Sequence, residues 1–113
     1  MMKSRITKGA GHRLALEAFR QEAEQRLSPP HLELWRARGC ARYEMFPQAD
    51  EWKPVVGFAP DREFFYEYGF LLADEQSGGT VVVCRALVDR HEASPTVRLD
   101  WYPVRIDLRK RPD

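Results

Sequence analysis

The spacing of hydrophobic residues changes character along the chain, and each change predicts an element. From His12 onward, Leu16, Phe19, Ala23 and Leu27 recur at spacings of three and four. Glu17, Arg20, Glu22, Glu24 and Arg26 fill the opposite side, the pattern of an amphipathic helix. Gly9 and Gly11 mark its start. Ser28-Pro29-Pro30 ends it, because proline brings no N–H and clashes with the preceding turn.

The period then shortens. Trp35, Ala37, Gly39, Ala41, Tyr43 and Met45 fall on alternate positions, with Arg36, Arg38, Cys40, Arg42 and Glu44 between them. Alternation over this length predicts a strand with one dry and one wet face, bent or bulged at Gly39. A competing reading takes Ser28 as an N-cap and residues 29–38 as a short helix. Because the alternation continues past Gly39, the strand is preferred. The nearest thing to a linker is Pro47–Pro60.

Three further strands are predicted. Residues 62–74 place Phe64, Tyr66, Tyr68, Phe70 and Leu72 on one face, and Gln76-Ser77-Gly78-Gly79 reads as a hairpin turn. Thr80–Arg90 puts Val82, Cys84, Ala86 and Val88 on one face. A register of Leu72 with Val82, Phe70 with Cys84 and Tyr68 with Ala86 sets large residues against small ones. The last strand, Thr96–Arg109, turns Val97, Leu99 and Trp101 inward, then Val104, Ile106 and Leu108, with the phase slipping at Tyr102-Pro103 as at an edge-strand bulge. The expected fold is therefore α+β: one N-terminal amphipathic helix packed on a four-stranded antiparallel meander sheet, in two layers. Residues 1–113 form a single domain, with 1–11 and 109–113 expected to be flexible ends.

Composition narrows the function classes. The 113 residues are 43% hydrophobic and 31% charged, enough for a core and too apolar for intrinsic disorder. No apolar run is long enough to span a bilayer, and none follows Met1–Lys8 as a secretory signal would require, so a cytoplasmic protein without membrane contact is expected. Cys40 and Cys84 are too few for a disulfide scaffold and lack metal-ligand spacing. No cofactor or metal is implied.

Near neutrality overall conceals a basic–acidic–basic order. The balance is +5 over residues 1–43, −6 over 44–75 and +2 over 76–113. Only Lys3, Lys8, Lys53 and Lys110 among the basic residues are lysines; the rest are arginines. Arg36, Arg38 and Arg42 would project from one side of the first strand, and Arg105, Arg109, Lys110 and Arg111 would extend the row into a track for phosphates. Nucleic acid is thus the alternative partner. Cross-strand ion pairs on a solvated face are the plainer account of the same arginines.

Catalytic signatures are lacking. His12, His31 and His91 are scattered, and Asp89-Arg90-His91-Glu92 reads as loop. Cys84 reads as a small core residue, and Cys40, on the arginine-bearing face, is the better candidate for a reactive thiol. The chain is therefore expected not to be an enzyme.

The order of helix, long strand, loop and three antiparallel strands resembles the cystatin arrangement. That resemblance implies inhibition of cysteine proteases through a Gln-x-Val-x-Gly hairpin loop and a second, tryptophan-bearing loop. Lys53-Pro54-Val55-Val56-Gly57 matches the valine and glycine but not the glutamine, and Ser94-Pro95-Thr96 carries no tryptophan.

The leading functional expectation comes from the sheet's other face. Phe65, Leu71, Val81, Val83 and Leu87 point away from the core set, and one short helix covers only one side. An apolar patch there is expected to meet a protein partner or a second copy of the chain, as in inhibitors, immunity proteins and adaptors of bacterial or phage type. The competing reading folds residues 47–60, with Trp52, Val55, Val56 and Phe58, back over that patch.

Overall fold

Two helices precede the first strand, where the spacing predicts one. The structure, a computed structural model, describes residues 6–74, 78–90 and 95–102. Helix α1 (Lys8–Arg26) begins one turn earlier than its apolar stripe, because the Thr7 side chain accepts a hydrogen bond from the Ala10 N–H. It stops at the prolines, as expected. Those prolines then open helix α2 (Pro29–Arg38), with Ser28 in the N-cap position.

The expected strand at 35–45 is thus corrected to a helix followed by the short strand β1 (Ala41–Met45). Leu, Glu, Ala and Arg between 32 and 38 are good helix formers and poor strand formers. Trp35 gains an edge-on contact with Phe19, 5.5 Å between ring centroids, that a strand there would forgo. Gly39, at φ +74°, carries the chain from helix into strand in a conformation that side chains disfavour.

Helix α3 (Ala49–Val56) replaces the expected linker. The segment resembling a cystatin loop therefore lies within and just after a helix, not at a hairpin tip. Strands β2 (Phe65–Asp74), β3 (Gly79–Asp89) and β4 (Thr96–Trp101) complete an antiparallel sheet in the order β1-β2-β3-β4, the expected meander. The proposed phase slip at Tyr102-Pro103 and the inward set Val104, Ile106 and Leu108 reach beyond the described residues.

The hairpin register matches at Phe70–Cys84 and Tyr68–Ala86 and then departs. Leu71 pairs with Val82 and Leu72 with Val81, leaving Val83 unpaired as a bulge. The bulge turns Val83 into the same buried cluster as Cys84, with Val81 packed against it. That cluster lies between the sheet and α1, which crosses β2, β3 and β4. Phe19 is its centre, stacked on Phe70 at 4.4 Å and on Trp101 at 5.3 Å.

On the second face, where an apolar patch is expected, helix α3 covers part of the sheet. Trp52 of α3 is fully buried, Leu87 is 1% exposed and Val83 0%. Phe65 is half-buried near Phe58, 5.7 Å between rings, and Leu71 and Val81 are half-buried too. The physical reason for this burial is twofold: the bulge sends Val81 and Val83 to the α1 side, and α3 with Phe58 folds over part of what remains.

Candidate functional site

Beneath α3 lies a buried polar network. In the cross-strand row through Tyr43, Gly69, Arg85 and Asp100, alternation places the side chains on the α3 side of the sheet. Gly69 leaves the space over β2 that the Tyr43 ring fills; a Cβ there would collide with that ring. The Tyr43 hydroxyl consequently reaches Glu67, donating to Oε2, while the Trp52 Nε1–H donates to Oε1 at 2.8 Å. Glu67 is 2% exposed, so both carboxylate oxygens are satisfied by neutral donors.

Arg85 occupies the next column. Its Nε and Nη2 both donate to Asp100 Oδ2, at 3.2 and 2.8 Å, and its Nη1 donates to the exposed Glu51 of α3 at 3.1 Å. The guanidinium lies 4.3 Å from the Trp52 ring centroid and 5.2 Å from that of Tyr102. Burial works against the Arg85 charge, yet the hydrogen bonds it donates to Asp100 and the charges around it raise its pKa overall. Burial and then the Glu67 hydrogen bond push the Tyr43 hydroxyl well above its usual range, keeping it a donor. This network locks α3 to the sheet.

On the other face, α1 leaves part of β1 uncovered, and a cleft of about 300 Å³ opens there. Lys8, Gly9 and His12 of α1, Arg42, Tyr43 and Glu44 of β1, and Tyr68 of β2 line it. The Tyr68 hydroxyl donates to the Lys8 carbonyl at 3.0 Å. Burial, then the Glu44 charge, pushes Tyr68 up to about 12. Gly11 makes the close approach feasible, since a Cβ would stand 2.7 Å from that hydroxyl oxygen. His12 Nε2 is buried without a hydrogen-bond partner among the described residues. Burial, followed by Arg42, lowers the His12 pKa against the opposing pull of Glu44.

β1 borders this cleft as an edge strand. Among the described residues nothing pairs with its outer side, and all of it except Tyr43 is exposed. Met45 and Phe46 at its end are 41% and 40% exposed, with Arg62 stacked on the Phe46 ring at 4.4 Å. The arrangement offers backbone hydrogen-bonding groups beside a cleft with two cations, one anion, an imidazole and the Tyr68 phenol.

The arginine row separates. Arg36 and Arg38 belong to α2 and Arg42 to β1, and the Arg36 Nη2 donates to Glu24 Oε2 of α1 at 2.8 Å. Arg105, Arg109, Lys110, Arg111 and His91 lie outside the described residues. Cys84 is buried in the core, and burial raises its thiol pKa. Burial raises Cys40 too, against Arg42 and Arg20, which makes its thiol less reactive than an exposed one. Among the described residues, no three His, Cys, Asp or Glu side chains group as metal ligands, and no helix is long and apolar enough to cross a membrane.

Sequence reasoning missed the network and the cleft. A signal for the first existed: Gly69 interrupts an aromatic strand, and an isolated strand glycine marks a close approach. No family model matches the sequence, and no curated protein matches it.

Proposed function

We propose that this chain is a small, non-enzymatic binding protein that takes up an extended segment of a protein partner along the free edge of β1. The reading keeps the expected class of protein and moves its contact surface from the sheet face to the sheet edge. What supports it is the exposure of β1 along the side that no described residue pairs with, next to the cleft lined by Lys8, His12, Arg42 and Tyr68. A strand added to such an edge gains backbone hydrogen bonds for affinity, while pockets beside it select side chains. Exposed Met45 and Phe46 add the apolar contact that a purely polar edge lacks.

Peptides selected from a random display library on the immobilised protein test the proposal. Titrated into isotope-labelled protein, they should shift the amides of residues 41–46 and of Lys8, Gly9 and His12. Failure to enrich any peptide, or shifts confined to other parts of the molecule, would refute it.

A further inference from the structure

We infer that the strand taken up by β1 is the β1 of a second copy, an inference that rests on reading β1 as a binding edge. The sequence of the strand is Ala41-Arg42-Tyr43-Glu44-Met45. Arg42 and Glu44 flank Tyr43, lie on the same face of the strand, and are both exposed. When two such strands run antiparallel about a two-fold axis at Tyr43, Arg42 of each copy stands opposite Glu44 of the other. Ala41 then stands opposite Met45, a small residue against a large one. The edge is self-complementary, as a two-fold interface requires.

The charges also select the register. Centring the axis on Arg42 or on Glu44 sets like charges face to face, whereas centring it on Tyr43 makes two opposite pairs at once. Pairing joins two four-stranded sheets into one of eight strands and removes an exposed edge from each copy. Exposed Met45 and Phe46 stand at the end of the strand, where the second copy's Ala41 and Cys40 arrive.

Sedimentation of the full chain over a concentration series extending into the millimolar range is the test, with folding of each variant checked by far-ultraviolet circular dichroism. The wild type should dimerise reversibly. Arg42→Glu and Glu44→Arg should each weaken the dimer about tenfold or more, since each turns two attractive pairs repulsive. A one-to-one mixture of those two variants should recover the dimer, as should the double variant Arg42→Glu with Glu44→Arg. A wild type that stays monomeric throughout, or a dimer indifferent to these exchanges, overturns the inference. If the chain is monomeric but library peptides still shift residues 41–46, the binding-edge reading survives and only the second copy is lost.

Discussion

Gly69 and Tyr43 face each other across β1 and β2, and neither residue makes sense without the other. The ring lies where the glycine has no side chain, and that position lets the hydroxyl reach the buried Glu67. Gly69→Ala should therefore destabilise the protein by about 1–3 kcal/mol, the usual range for overpacking. In a Tyr43→Ala background the same substitution should be neutral or slightly stabilising, because alanine restricts an unfolded strand more than glycine does. Urea unfolding of the four proteins measures this coupling. An equal loss in both backgrounds would show that the clash with Tyr43 is not the cause.

At the scale of elements, α3 matters more than its length suggests. It has eight residues with a proline inside, and it is held in place by what Trp52 and Glu51 touch. Trp52→Phe keeps most of the apolar volume and removes the donor to Glu67, so a loss of about 1–3 kcal/mol is expected. Trp52→Ala should cost about 3–5 kcal/mol, read as a drop in melting temperature of more than ten degrees. A melting temperature within two or three degrees of wild type for Trp52→Ala would mean that α3 is a bystander. This element also marks where the sequence stops being legible. Helix α1 and the strands β2 to β4 announce themselves through long periodic runs whose faces are set by burial. By contrast, α3 depends on a tryptophan finding a carboxylate 15 residues later, a tertiary event without a local pattern. The residues at 35–38 fit the alternation of a strand, and the prolines at the start of α2 together with the docking of Trp35 on Phe19 decide for the helix. The bulge at Val83 likewise shifts which valines face the core, and nothing in a run of three valines distinguishes them. The cleft was illegible for the same reason, since it joins residues from α1, β1 and β2 that share no motif.

At the scale of the whole molecule, the segregated charges partly meet. Glu51, from the acidic middle of the chain, pairs with Arg85 from the basic final third, whereas Arg36 and Glu24 pair within the first. The meander pairs each strand with its neighbour in sequence, so most of the sheet needs only short loops to close. The N-terminal part of the described chain is the exception: Phe19 stacks on Trp101 about 80 positions away, and the Ile6 N–H donates to the Arg90 carbonyl. Helix α1 and strand β4 are thus joined across a long loop. Closing that loop is best delayed until the hairpin of β2 and β3 has formed a surface to receive it. Trp101→Phe should accordingly speed unfolding while leaving the refolding rate almost unchanged in stopped-flow experiments. A refolding rate that falls by the full loss of stability would place this contact in the nucleus instead. In kinetic terms, the stacking of Phe19 on Trp101 serves as a late latch, governing how long the protein stays folded more than how fast it folds.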